Sequence, residues 1–228
     1  MMSLVQFRSR GAFKLREEFR PDGGWSMPGR AKVAMIGDGN VGSALTKGLT
    51  RAGYDVQAVG RVPSRVRELA EWGDIIVLAV PFGERENAVE EMGDTIEGKP
   101  LVDVTNALAG GSYAGGVDKS GAEQLQEMAR KAKVIKAFNT AFAPTMSTGQ
   151  AHGERITAFI AGDDAEAKGM VQRMATDIGF DAVDAGPLQN ARWLEALGML
   201  NIQLAYAIGM GNAIGTRLIH DAKPQRRP

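Results

Sequence analysis

The 228 residues include no cysteine and only two histidines, which excludes disulfides, thiolate nucleophiles, iron–sulfur ligation, the usual structural zinc sites and a clustered histidine metal site. Lysine plus arginine equals aspartate plus glutamate at 27 each, so no net field draws the chain to nucleic acid or anionic lipid. The length suits one domain or a domain plus a small appendage, and no apolar run reaches a membrane span, so a soluble cytoplasmic protein is expected.

Residues 1–30 lack sustained periodicity and are broken by Gly11, Pro21, Gly23, Gly24, Pro28 and Gly29. They contain no apolar core for a signal peptide, and Glu17 and Glu18 count against a transit peptide. The segment reads as a disordered extension, with Met27 a candidate start. From Lys32 onward the chain alternates. Strand-like runs at 32–36, 54–59, 74–80, 100–104 and 134–138 enclose helical segments at 40–53, 63–72, 82–96 and 121–132. The strands are nearly continuous in Val, Ile, Leu and Ala, the pattern of a parallel sheet covered on both faces. This predicts an α/β fold, a Rossmann-like doubly wound parallel sheet spanning residues 31–145.

The first strand feeds the turn Gly37-Asp38-Gly39-Asn40-Val41-Gly42, which opens a helix. Gly37 permits the tight turn, Gly39 lets backbone approach a pyrophosphate, and Gly42 lets helix and strand pack closely. The helix N-terminus offers free N–H groups to the phosphates. Where NAD sites place an acidic residue after the second strand, Gly60 and Arg61 stand, followed by Ser64 and Arg65. A guanidinium pairs with a ribose 2′-phosphate that a carboxylate would repel, which favours NADP; a solvated loop cation is the other reading of Arg61. Ligands of such sheets sit at the carboxyl ends of strands, here Pro81-Phe82-Gly83, Thr105-Asn106 and Asn139-Thr140.

After Pro144 the rhythm changes to a strand at 155–161, a helix at 163–179 with an Asp N-cap, a strand at 181–184 and a long, widely buried helix from Pro187 to about Gly209. Gly198, Gly209 and Gly211 would admit a second helix or a planar ligand. Residues 146–219 are expected to form a small C-terminal αβ unit closing the cleft and offering a homodimer contact, with 220–228 a frayed tail.

Gly37-Asp38-Gly39-Asn40-Val41-Gly42, Val80-Pro81-Phe82-Gly83, Asp103-Val104-Thr105-Asn106, Lys136-Ala137-Phe138-Asn139-Thr140 and Asp184-Ala185-Gly186-Pro187-Leu188 follow in an order that resembles the NADPH-dependent F420 reductases (8-hydroxy-5-deazaflavin:NADPH oxidoreductases) over residues 31–219. The wider group includes the NADPH-binding domain of the STEAP-type metalloreductases. The resemblance implies NADP(H) along the strand ends and a deazaflavin, coenzyme F420, stacked on the nicotinamide as the small-molecule redox acceptor. Direct hydride transfer needs no side-chain nucleophile, so no catalytic residue is assigned. By the same resemblance Gly37, Gly39, Asn40 and Val41 hold the pyrophosphate, with Gly42 behind them, and Arg61 holds the 2′-phosphate, supplemented by Ser64 and Arg65. Pro81 and Phe82 line the path to the nicotinamide, and Asn139, Thr140, Ala141 and Ala143 border it. Asp38 and Gly60 depart from the family, where a Thr and a Ser often help bind the 2′-phosphate.

Other residues carry open alternatives. Asn139-Thr140 either contacts cofactor or caps a strand end. The loop after Asn106, with Tyr113, is either a lid or plain surface. His152 reads as a solvated loop histidine. Arg192 either meets an acidic acceptor group or pairs with Glu195 at i,i+3. Asp163, Asp164 and Glu166 read as a helix start rather than a metal cluster. Competing functions are an NADPH-dependent flavin or ferric reductase, a non-catalytic NADP-binding module, and an imine or β-hydroxyacid reductase, for which Lys136 is a weak candidate proton donor.

Overall fold

The apolar runs become seven strands of one sheet: β1 (Lys32–Ile36), β2 (Asp55–Val59), β3 (Ile75–Leu78), β4 (Pro100–Asp103), β5 (Lys133–Lys136), β6 (Thr157–Gly162) and β7 (Asp181–Asp184). The computed structural model describes residues 31–60, 62–109, 112–113 and 118–219, together with the antiparallel strand pair Glu18–Phe19 and Trp25–Ser26. The rest of the proposed extension and the proposed tail lie outside the described residues.

Across the sheet the order is β7-β6-β5-β4-β3-β1-β2, and every neighbouring pair is parallel except β5 with β6. The chain steps from β1 outward to β2 and then back past β1 to β3, so the carboxyl ends of β1 and β3 flank a topological switch point. The fold is Rossmann-like α/β, as expected. Its helices are α1 (Asn40–Arg51), α2 (Pro63–Trp72), α3 (Arg85–Met92), α4 (Gly121–Met128), α5 (Ala143–Met146), α6 (Ala165–Ile178) and α7 (Ala191–Ile202). Leu45 and Leu49 of α1 pack with Val171 and Met174 of α6 on one face of the sheet, while Val66 and Leu69 of α2 pack with Leu125 of α4 on the other. Ile75, Ile76, Val77 and Leu78 alternate between these two cores, which is why β3 shows no polar alternation.

Several elements differ from the periodicity reading. The helix expected at 82–96 breaks at Gly93, where φ is +58°, into a 3₁₀ turn, α3 and a second 3₁₀ turn. β5 ends at Lys136 because Phe138 takes φ +63° and turns the chain, stacking edge-on against Phe180 with ring centroids 5.5 Å apart. Between β5 and β6 the only α-helix is the four-residue α5, followed by a short hairpin, and the chain re-enters the sheet antiparallel. β6 and β7 thereby extend the same sheet instead of forming one of their own. Asp164, not Asp163, caps α6, accepting from the Ala167 N–H at 2.9 Å.

The long C-terminal helix starts with a 3₁₀ turn at Leu188–Asn190 and continues beyond α7 as a π-helical turn, Gln203–Ala207. It is not buried widely. One stripe (Leu194, Glu195, Gly198, Asn201, Ala205) is buried, while Trp193, Leu200 and Tyr206 on the opposite side are exposed. Among the described residues no helix is long and apolar enough to cross a membrane.

Candidate functional site

The carboxyl edge of the sheet carries two neighbouring constructions. The first surrounds the switch point. Gly37, at φ +113°, makes the turn out of β1, and a Cβ there would stand 2.3 Å from the Ala79 carbonyl oxygen after β3. A Cβ on Gly42 would overlap the Gly37 carbonyl at 1.9 Å, so this glycine is what lets α1 lie against the turn. Gly39 differs from both. Nothing stands within 4 Å of its absent Cβ, and as N-cap residue it has no side chain to cap α1. The first turn of α1 therefore faces open space with its N–H groups and no acidic side chain, which fits a phosphate group.

Around this opening lies a cleft of about 360 Å³ bounded by Gly37, Asp38 and Gly39, by Gly60 after β2, by Pro63 and Val66 of α2, and by Val80, Pro81 and Glu84 after β3. The structure thus brings Gly37, Gly39 and Pro81 together. Asn40 is exposed and Val41 half-buried on the first turn of α1. Ser64 and Arg65 are exposed on α2 and do not line the cleft. Arg61 lies outside the described residues, as do the side chain of Tyr113 and most of the loop that held the lid reading. Phe82 turns away: its ring lies under the Arg85 guanidinium, 3.6 Å from Cζ to the ring centre, and against Gly121 at the start of α4.

The second construction closes the ends of β4 and β5. Asp103 and Lys136 are direct partners in the parallel register, and both are fully buried. Lys136 Nζ lies 3.0 Å from Asp103 Oδ2 and 3.1 Å from Glu195 Oε1, and donates to the Thr105 carbonyl at 2.6 Å. Glu195, from α7, also accepts from the Gly121 and Ala122 N–H groups at 2.9 and 3.1 Å, so one carboxylate caps α4 and balances the lysine. Arg85 completes the group, donating to the Phe82 and Gly121 carbonyls at 2.9 and 2.7 Å. Burial pulls its pKa below the ordinary guanidinium value, while Asp103 and Glu195 oppose that shift. Two buried cations thus face two buried anions. Lys136 has no open path to a substrate in this arrangement.

Above this group α7 covers the strand ends. A Cβ on Gly198 would stand 2.5 Å from Asn106 Oδ1 and 2.8 Å from Asn139 Nδ2, so glycine is what allows the helix to settle there. Asn139 donates to the Leu194 carbonyl at 2.8 Å, and Asn201 donates to the Thr140 carbonyl at 2.9 Å. Asn139, Thr140 and Ala141 are buried, and Ala143 is half-buried at the start of α5. Within this buried layer two side-chain oxygens have no protein partner, Asn139 Oδ1 and Thr105 Oγ1.

Arg192 does not pair with Glu195. It reaches across to α4 and grips Glu123 with both arms, Nε to Oε2 at 2.9 Å and Nη2 to Oε1 at 2.7 Å. That guanidinium, with the Ser120 N–H, holds the Glu123 carboxyl down at about 2. His152 is exposed in the turn of the Gln150–Ala151/Glu154–Arg155 hairpin with φ +51°. No group of three or more His, Asp or Glu among the described residues is placed to hold a metal ion. The buried charge group is not legible from the sequence pattern alone. Its signal was a charged residue closing each of two apolar strands, Asp103 and Lys136, which only the β4–β5 adjacency turns into a pair.

Residues 32–73 match the family of coenzyme F420-dependent NADP oxidoreductases. The metalloreductase STEAP3 of Rattus norvegicus is 31% identical over 179 residues, 73% of this chain and 36% of that protein. The F420-dependent NADP reductase of Methanothermobacter marburgensis is 29% identical over 148 residues, 60% of this chain and 65% of that one. Among solved structures, a candidate F420-dependent NADP reductase from Arthrobacter sp. FB24 superimposes with a TM-score of 0.75 at 26% identity, covering 83% of this chain and all of that one. The chain spans less than half the length of the curated metalloreductases it matches.

Proposed function

Because this chain is a relative of the F420-dependent NADP reductases and of the STEAP-type NADPH-binding domains, we propose that it is an NADP-dependent oxidoreductase passing hydride between NADPH and a deazaflavin of the coenzyme F420 type. The observation that carries the nucleotide part is the vacant position above Gly39, at the N-terminus of α1 and beside the switch point of the sheet. Gly37 and Gly39 would hold the pyrophosphate, and Pro63, Val66 and Pro81 would flank the adenosine. The unpartnered Asn139 Oδ1 is the group suited to accept from a carboxamide, which would fix the transferred face of the ring. The nicotinamide and the acceptor ring supply the redox chemistry themselves, and the chain contributes orientation and a dry strand edge.

A second acceptor class, a flavin or chelated ferric ion, is favoured by the similarity to a metalloreductase. Anaerobic NADPH oxidation separates the readings, with deazaflavin, FMN and ferric chelate assayed in parallel. Turnover with deazaflavin alone supports the first reading, and turnover only with FMN or ferric chelate supports the second. NADPH binding without any turnover sinks both and leaves a non-catalytic binding module. A homodimer belongs to the same proposal, supported by the exposed Leu200 and Tyr206 in a stretch without charge from residue 196 to 216, and by the exposed Trp193 just before it. A sedimentation coefficient independent of concentration at the monomer value would remove it.

A further inference from the structure

The carboxylate of Asp38 stands where it would meet a side chain at the end of β2. Its two oxygens lie 2.6 and 2.7 Å from the position a Cβ on Gly60 would take. Gly60 is not at a positive φ, so the glycine serves space and not backbone geometry. Any larger residue there would have to move the carboxylate. The surrounding backbone holds this relation in place. Gly37 N–H donates to the Val59 carbonyl at 2.8 Å, tying the turn to the end of β2, and the Ser43 hydroxyl donates to the Asp38 carbonyl at 2.8 Å. Both Asp38 and Gly60 line the nucleotide cleft.

Dinucleotide folds read the adenosine ribose at this spot with an acid carried on the second strand. In this chain the acid comes from the glycine turn and reaches the same spot through space. Among the described residues two more carboxylates, Glu84 and Glu91, line the cleft, and Ser64 and Arg65 do not. A free 2′-hydroxyl can donate to such a carboxylate, whereas a 2′-phosphate brings further negative charge against it.

We propose that Asp38 is the ribose-reading residue of this site, and that it narrows the preference for NADPH so that NADH is bound with comparable affinity. This rests on the assignment of the cleft to a nicotinamide dinucleotide. The Asp38 side chain is exposed, so its replacement leaves the fold intact. The test is calorimetric binding of NADPH and of NADH, without acceptor, to the wild-type chain and to Asp38→Asn and Asp38→Thr. In the wild type the two affinities are expected to lie within about tenfold of each other. Both variants should shift the ratio toward NADPH by about tenfold, mainly through tighter NADPH binding. A ratio that stays within about twofold of wild type in both variants overturns the inference while the nucleotide assignment stands. A wild-type chain that binds neither nucleotide overturns the assignment, and this inference with it.

Discussion

The two ends of one sheet edge are built on opposite principles. Around β1, β2 and β3 the chain removes side chains, with Gly37, Gly42 and Gly60 where a Cβ would collide with neighbouring atoms and Gly39 where it would enter open space. Around β4 and β5, beside it in the sheet, it fills the edge with charge that is buried and internally balanced, then lays α7 over it. The open end costs little in packing and leaves N–H groups free for a ligand. The closed end leaves its charges only one another and a few backbone groups as partners, so it depends on every member being present. Function is therefore expected to be sensitive at the first end, and folding at the second.

The sharpest break of this contrast is Lys136→Met. It would remove the cation in direct contact with both Asp103 and Glu195 and leave Arg85 as the one remaining positive charge of the group, a change that costs roughly 3–5 kcal/mol when a buried pair loses one partner. Urea unfolding should show a much lower midpoint with an unchanged slope. A midpoint near that of the wild type would mean that the group is not the closed, dry unit the distances describe.

The difference between the two ends also governs what could be read beforehand. Each fingerprint glycine acts on backbone within its own turn or the next strand, so its reason is local and the spacing alone displays it. Asp103 and Lys136 each look like a polar strand terminus, and their pairing exists only because β4 and β5 are neighbours in register. Helical spacing sets Glu195 beside Arg192, but α7 turns Glu195 inward and Arg192 toward α4, which no single-helix argument can decide. Asp38 stands out in the sequence as a departure at the turn. Its reach to the end of β2 depends on a side chain crossing to Gly60, a relation that exists only because β1 and β2 are neighbours in the sheet.

Gly39→Val tests the open end with a smaller expected effect. The residue has φ −68°, which valine adopts without strain, and its Cβ would enter vacant space. Stability should stay within about 1 kcal/mol, the scale of an altered N-cap. NADPH affinity should fall by at least about tenfold, or roughly 1.4 kcal/mol, because the new side chain occupies the room left for phosphate. Unchanged affinity would remove the glycine turn from the nucleotide site, whatever the chain then binds.

The smallest effect belongs to the rim of the closed end, where Arg192 of α7 grips Glu123 of α4. Glu123 also completes the capping box of α4 with Ser120, so the pair ties a helix start to the helix above it. Its carboxyl is held at about 2, below the ordinary 4.5, which means the folded state binds the proton less readily than the unfolded one. The stabilisation is therefore full above pH 4.5 and is lost as the pH falls through that value toward 2. Both side chains are about one-fifth exposed, so solvent screens the pair, and Arg192→Gln should lower Tm by only about 2 °C at pH 7. That gap should close on acidification between those two pH values. If it held constant down to pH 2, Arg192 would be acting through packing of its stem on α4, and the charge of Glu123 would have no part in holding α7 down.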